Sequence, residues 1–522
     1  MTIICDSKYL AFPVSEKANK RKMLFKSDGQ LIFDLDIKID YENPDFVSYV
    51  NIERFKGKTL EISCEPEMEL KIIKSDTQED NEGIYKEKYR PQFHFSAKRG
   101  WLNDPNGLFY YKGQYHLFFQ HNPASAQWGN MHWGHSVSND LLHWQETDCA
   151  LYPDEMGTMF SGSAFVDYRN DSGLKRGEDA PILLFYTAAG SKSKTSEGKK
   201  FTQCMAYSTD GGKTFTKYEG NPIIDHIAEE NRDPKVQYDS ASGKYVLALY
   251  LKDNSFALFT SDNLIDWQQS QVIELDNDRE CPDFYLMPVN GDPDNIKWVL
   301  SAAADRYMVG SFKDGIFSPE TQVQQLHYGK NSYATQTWSD TVDGRRLRIS
   351  WNRFDIPEAV FNQSMTFPCE MTLKEQGGKL LLCANPVSEI KKLYKDTKEF
   401  TDLKISNSSP FSYELDDECY DISIELDRAE KPLDIELFGT KIHLDTDSLN
   451  ILDCKAPLTD ESGIKLRLLI DRTGIEIFAG DGSAFMSVGT LMDYSKNKLE
   501  LISTQSARIN KLSISPLKSI WE

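Results

Sequence analysis

Four stretches of this chain repeat one local plan: "HWGHSVSNDLLHWQ" (132–145), "QCMAYSTDGGKTFTKY" (203–218), "FALFTSDNLIDWQQ" (256–269) and "YMVGSFKDGIFSP" (307–319). Each runs from an apolar strand through a serine into an acidic turn, and an aromatic residue then opens another strand. The serines Ser138, Ser208, Ser261 and Ser311 are separated by 70, 53 and 50 residues. Repeats of that size, filled with short strands, fit the blades of a β-propeller rather than a helical array. A long sandwich is the rival, and the recurring serine–acid–aromatic turn disfavours it. With the segment from "TQTWSD" to "RRLRISWNRF" as one further unit, the pattern predicts five blades.

The rest of the chain is also strand-like. At 522 residues it exceeds what a single hydrophobic core usually serves. Near the start, "LIFDLDIKIDY" (31–41) alternates apolar and mostly acidic residues, the pattern of a half-buried strand. "VSYVNIERF" and "KTLEISCE" follow in the same style, so residues 1–74 are expected to form a small antiparallel β unit. The polar, turn-rich stretch over 75–91 reads as a linker, and 92–385 as the propeller. Beyond it, "PVSEIKKLYKDTKEF" (386–400) predicts a short helix. Alternating strands such as "YDISIELD" and "KLELISTQ" then predict a β-sandwich, so 386–522 is a linker plus sandwich. The expected class is all-β: a five-bladed propeller, a C-terminal β-sandwich and an extra N-terminal β domain.

Charge narrows the partners. A formal net charge of −21 disfavours nucleic acid and anionic membranes, both of which want a basic footprint. A neutral saccharide fits better, and the 12% aromatic content suits it, because an apolar ring face can lie against sugar C–H groups. Nine scattered cysteines without a C-x-x-C pair suggest neither a disulfide framework nor a zinc ribbon. No stretch approaches 18 uninterrupted apolar residues, and the N-terminus lacks a basic start followed by an apolar run. The expectation is a cytoplasmic protein, or an extracellular one if a leader has been removed, with association of identical copies left open. "DGGKTF" ends like a phosphate-binding loop, but Tyr207 stands where its first glycine is needed. His132 and His135 look like a metal pair, yet i and i+3 on a strand point to opposite faces. They read as strand residues with satisfied hydrogen bonds. No metal and no cofactor are implied.

Three carboxylates occupy unusual contexts. Asp104 lies in "WLNDPNG", Asp233 in "NRDPKV" and Glu280 in "DRECPDFY". Taken singly, each is ordinary turn chemistry. Asp104 and Asp233 directly precede a proline, which biases them toward extended backbone. Each acid stands near the start of a strand-like run, and in a propeller such starts converge on a central funnel. Three acids there would crowd negative charge and raise at least one pKa, giving the asymmetry that acid/base chemistry needs. The Asn side chains and turn amides near Asp104 favour its carboxylate. Glu280, beside Cys281, Pro282, Phe284 and Tyr285, has the more apolar context and is expected to be the group pushed up. Arg232 beside Asp233 is either an ion-pair partner or a donor to hydroxyls.

"WLNDPNG", "RDP" and "EC", in this order, resemble the three acid motifs of glycoside hydrolase family 32, which contains invertases, inulinases and levanases. "FSGS" (160–163), "WGNMHWGH" and "DRTGIEIFAGDGSAFMS" extend the resemblance over roughly residues 90–522. It implies a retaining β-fructosidase with Asp104 as nucleophile, Glu280 as general acid/base and Asp233 as transition-state stabiliser. It also implies that Asn103, Gln120, Trp128, Phe160, Ser161, Arg232 and Trp351 bind the fructosyl unit. The wording of the motifs favours fructans or fructo-oligosaccharides over sucrose. An invertase and a fructosyltransferase are the rivals within the class, and a silent carbohydrate-binding protein the rival outside it. The sequence departs from many relatives at His327 and Asn331, where acids are common, and at Cys369, where an arginine is usual. These are expected to affect the border of the site rather than its chemistry.

Overall fold

The computed structural model describes residues 1–79, 83–427, 432–458 and 463–521. These form nine sheets and, among the described residues, no α-helix. Five of the sheets are propeller blades. Their first strands are Gly100–Tyr111, Thr158–Val166, Arg232–Asp239, Asp283–Pro288 and Ser332–Thr337. Each of these packs beside the next, and the fifth returns to the first, so the five ring one axis. Successive strands of a blade then pair antiparallel outward. In the second blade, for example, Thr158–Val166 is followed by Ile182–Ala189, Thr202–Ser208 and Thr216–Lys217. All eight residues of Ile182–Ala189 are buried, because neighbouring blades cover both faces of the strand. The ring is closed where Ser339 N–H donates to Leu108 O and Tyr110 N–H to Ser339 O.

The repeated serine has a mechanical role in three blades. Ser138, Ser208 and Ser261 each end a third strand, and each hydroxyl donates to the acid or amide two residues on: Asp140, Asp210 and Asn263. These side chains in turn accept main-chain N–H groups of the turn, which fixes the chain reversal into the outer strand. The fourth blade departs from the plan. Ser311 lies exposed inside the strand Arg306–Lys313, and the reversal is made by Asp314 and Gly315 at φ 52° and 82°. Asp-Gly with both φ positive is a two-residue hairpin turn and needs no serine.

Two further units flank the propeller. The N-terminal one stacks a four-stranded sheet on a three-stranded sheet around Leu10, Phe12, Phe25, Leu35 and Ile62. The C-terminal one is a sandwich of two six-stranded sheets whose core includes Ile422, Ile435, Ile442, Leu468 and Ile514. Ile435 and Ile442 stand opposite each other on paired strands of one sheet. The expected helix over 386–400 is corrected: only Ser388–Leu393 coils, as a 3₁₀ turn that buries Ile390 and Leu393 three residues apart. The remainder joins the strand Lys398–Ser406, whose backbone pairs with Ser506–Pro516. Of the expected linker, residues 80–82 lie outside the described residues. The stretch after them is anchored: Arg90 is fully buried under the Phe361 ring, and Tyr85 stacks on Trp521.

Candidate active site

Four of the five first strands break their ladder, three of them where a candidate site residue stands. The register shifts between Leu102 and Pro105, between Phe160 and Gly162, between Arg232 and Lys235, and between Tyr333 and Gln336. Those bulges contain Asp104, Ser161, Asp233 and the residues after Tyr333. Pro105 and Pro234 supply no N–H, so the ladder cannot run through them. At Gly162 a Cβ would sit 1.9 Å from Phe185 O, so only glycine fits. A bulge re-aims side chains that a regular strand would bury between blades. The sequence signal at these positions is therefore a backbone signal as much as a chemical one.

The acids meet through short contacts. Asp104 Oδ2 accepts from Ser161 Oγ at 2.6 Å, and Oδ1 accepts from Asn103 Nδ2 at 3.2 Å. Asn103 is itself held by Trp101 Nε1 at 2.8 Å. Glu280 Oε1 accepts from Arg232 Nη2 and Oε2 from the Tyr333 hydroxyl, both at 2.9 Å. The Cys281 thiol lies between the two aspartates, 3.4 Å from Asp233 Oδ2 and 3.6 Å from Asp104 Oδ2. Asp233, Glu280 and Cys281 have φ of 66°, 62° and 42°. The extended backbone expected for Asp233 is thus corrected. Its N–H donates to Thr187 Oγ1 and its carboxylate accepts the Cys281 N–H, both at 2.9 Å, and these bonds over-determine the left-handed geometry. Asp104 does lie in a strand.

The electrostatics correct one expectation, and the packing corrects another. Burial raises Asp104 and outweighs the donors Ser161 and Asn103, with the Glu280 charge adding to the rise. Burial also pushes Asp233 up to about 7, against the Arg232 guanidinium and with the Asp104 charge. The apolar surroundings expected around Glu280 lie elsewhere: Phe284 stacks on Trp298 inside its blade, and Tyr285 is buried beside Arg346. The groups that touch Glu280 are polar.

The remaining candidates stand on neighbouring strands and loops of the propeller. Trp128, 54% exposed, meets Phe160 edge-on at 6.1 Å, and Phe160 meets Phe201 in the same way at 5.5 Å. Trp351 stands edge-on to both Trp101 and Tyr333. Gln120 is buried, and its amide donates to Met159 O, one residue before Phe160. Sequence reasoning does not single out Tyr333, Cys281, Thr187 or Arg353, whose guanidinium lies 4.2 Å from the Tyr333 ring centroid. Applying the strand-start rule to the fifth blade would have found Tyr333. His132 and His135 are buried strand residues, bonded to Asn130 O and His116. Among the described residues no group of three His, Cys, Asp or Glu is placed to hold a metal ion.

The departures at His327 and Asn331 serve the join between propeller and sandwich. His327 Nε2 accepts the Ser487 N–H at 3.2 Å, and Asn331 Oδ1 accepts the Gly489 N–H at 2.7 Å. Cys369 is buried, with its thiol on Phe367 O at 3.3 Å.

Comparison with known proteins agrees with this fold. Residues 94–384 match the family model described as the glycosyl hydrolases family 32 N-terminal domain. A levanase of Bacillus subtilis is 34% identical over 495 residues, which cover 84% of this chain and 72% of that protein. An extracellular exo-inulinase of Aspergillus awamori is 28% identical, covering 77% of this chain and 89% of the relative. The crystal structure of an exo-inulinase from Aspergillus awamori superposes with a TM-score of 0.75 at 26% identity, over 84% of this chain and 100% of that one. A fructofuranosidase from Schwanniomyces occidentalis, complexed with fructosylnystose, gives 0.74 at 27% identity over 85% of this chain and 100% of that chain.

Proposed function

The chain belongs to the glycosyl hydrolases of family 32, and from that premise we propose that it is a retaining β-fructosidase acting on terminal β-D-fructofuranosyl units of fructans or fructo-oligosaccharides, and on sucrose. The observation that carries this reading is the delivery of Asp104, Asp233 and Glu280 by the first, third and fourth blades to one polar cluster joined by Cys281 and Arg232.

The chemistry follows the two-carboxylate logic of retaining glycosidases. Asp104 attacks the anomeric C2 as the bond from C2 to the leaving oxygen breaks, and Glu280 gives that oxygen a proton. The product is a fructosyl ester of Asp104. Glu280 then takes a proton from water, the water oxygen bonds to C2, and Asp104 leaves as a carboxylate. Ser161 and Asn103 fix the orientation of Asp104. Asp233, held by the Cys281 N–H, accepts from ring hydroxyls, and these bonds strengthen as positive charge grows on the ring. Arg232 holds Glu280 over the leaving oxygen. Trp128, Phe160 and Trp351 give apolar faces to the sugar, and Gln120 supports the Phe160 wall through Met159.

The nine cysteines are free thiols, which supports placement in a reducing cytoplasm, where short imported oligosaccharides are the natural substrates. Cell fractionation with an activity assay checks that placement. The reaction itself is tested by chromatography of products from inulin, levan and sucrose, with Asp104→Ala as control. Free fructose from the parent alone supports the hydrolase. Longer oligosaccharides would point to transfer, and no product from any of the three would overturn the reading.

A further inference from the structure

The N-terminal domain grips the propeller through the loops that carry the aromatic wall. Its strand Gln30–Ile37 is the edge of a four-stranded sheet. Along that edge, Asp36 N–H donates to Asn130 Oδ1 at 2.8 Å, and Asn130 Nδ2 donates back to Asp36 O at 2.7 Å. The side chain of Asn130 thereby completes hydrogen bonds that an exposed edge would leave to water. Two residues earlier in the same loop stands Trp128. On its other side, Glu16 Oε1 accepts from Ser125 Oγ at 2.7 Å and from Ala126 N–H at 2.6 Å. Lys38 bridges Glu16 and Gln127 at 2.9 and 3.3 Å, and Ala124 is buried in the core of the N-terminal domain. Trp128 is therefore the exposed crest of a loop tied down on both flanks by another domain.

A second loop is held by the same edge. Asp34, buried, accepts from Thr195 N–H at 2.7 Å, from Thr195 Oγ1 at 2.5 Å and from Lys194 N–H at 3.1 Å. This loop leads into Phe201, which packs on Phe160, and Lys192 within it pairs with Glu230 at 2.9 Å. Glu230 O accepts from Arg232 Nη1 at 2.6 Å. The acid-and-apolar alternation of residues 31–41 thus has a use beyond half-burial: one face fills a core, and the other docks on the mouth of the site.

We propose that the N-terminal domain is a specificity element of the active site, in which Glu16 and the edge strand Gln30–Ile37 are positioning residues that set Trp128 and the Phe160–Phe201 wall for a long sugar chain. This rests on Trp128 meeting substrate, as proposed above. A domain that only added stability would have no reason to act through Trp128. A domain that positions Trp128 must lose its effect on substrate when that ring is absent, which a double-mutant cycle reads.

The test compares Glu16→Ala, Glu16→Gln and Trp128→Ala, and the Glu16→Ala/Trp128→Ala pair, on inulin and sucrose. Loss of two hydrogen bonds to the loop should raise KM for inulin about fivefold in Glu16→Ala, with kcat within about twofold. Glu16→Gln keeps the accepting oxygen and should stay within about twofold of the parent. In the Trp128→Ala background, Glu16→Ala should add nothing. An unchanged KM in Glu16→Ala, an equal loss of kcat on both substrates, or multiplication of the two single effects would overturn the proposal. Chymotryptic cleavage after Trp128 needs no turnover and reports the clamp by itself. It should be faster in Glu16→Ala than in the parent or Glu16→Gln, and equal rates would overturn the clamp. If the parent released no fructose, the proposed reaction would fail while cleavage still decided the clamp.

Discussion

Cys281 holds Asp233 twice at one oxygen: its N–H donates to Asp233 Oδ2 at 2.9 Å, and its thiol reaches the same atom at 3.4 Å. The main-chain bond is set by the left-handed turn at 280–281, so it survives any side chain that the turn tolerates. The thiol is pushed well up, by burial first and then by the charges of Asp233 and Asp104, so it is a donor and not a nucleophile. Cys281→Ala should therefore lower kcat/KM only about threefold to tenfold, the worth of one weak thiol hydrogen bond. Loss of all turnover in this variant, measured against sucrose, would assign the thiol a covalent role instead.

The value of about 7 at Asp233 makes a prediction about stability. A carboxyl raised above its ordinary 3.8 holds its proton more tightly in the folded protein than in the unfolded chain. Its contribution is present in full below about pH 4 and is lost as pH rises through about 7. Asp233→Asn removes that loss. The variant should be more stable than the parent near pH 8 by up to roughly 4 kcal/mol, with the gap closing toward about pH 4. Urea midpoints at the two pH values check this, and a gap that widened on acidification would refute it.

Asp104 and Glu280 should separate kinetically. In the proposed reaction Asp104→Ala removes the attacking group, and it should cost at least about 1,000-fold in kcat on every substrate, with folding near normal. Glu280→Ala removes the proposed proton donor, so the loss should be largest for alkoxide-like leaving groups and smallest for a fructosyl donor whose leaving group needs no proton. Rates on sucrose and on an aryl fructoside measure the split. Equal losses in Glu280→Ala would argue against its role as acid.

The blades are legible in the sequence because a propeller repeats one local plan, and the plan is written in side chains: Ser138, Ser208 and Ser261 each bind their own turn. Asp104 and Asp233 are legible because a proline marks each bulge. What local pattern does not carry is long-range. Tyr333 meets Glu280 from 53 residues away, and Thr187 meets Asp233 from 46. Thr187 has no local pattern that sets it apart, and Tyr333 has only its place at the start of a fifth-blade strand. The environment of Glu280 differs from its sequence context because chain neighbours such as Phe284 and Tyr285 point into blade cores, while the groups on its carboxylate come from other blades. The helix expected over 386–400 gives way because strand pairing along Ser506–Pro516 claims the end of that stretch. The docking face of residues 31–41 is hidden from sequence reasoning, since alternation fixes a strand's two faces but not what covers the polar one.

Arg232 joins most of the site with one planar group. Its Nη2 donates to Glu280 Oε1 at 2.9 Å, its Nη1 to Glu230 O at 2.6 Å, and its Nε stands 3.8 Å from Asp233 Oδ2. Its guanidinium lies 4.8 Å from the Tyr250 ring centroid. A lysine keeps the charge but not the fork, so it can serve Glu280 or Glu230 O but not both while facing Asp233. Arg232→Lys should lose about 10-fold to 100-fold in kcat/KM with little change in thermal midpoint. Arg232→Gln removes the charge as well. That charge opposes the burial that raises Asp233, so its loss should raise Asp233 further, above about 7. A reaction that needs ionised Asp233 would then fail at a higher pH on the acid side. The acid limb of kcat/KM should move up in Arg232→Gln and stay near the parent's in Arg232→Lys. If both variants kept the parent's limb, the ionisation that governs it would belong to a group other than Asp233.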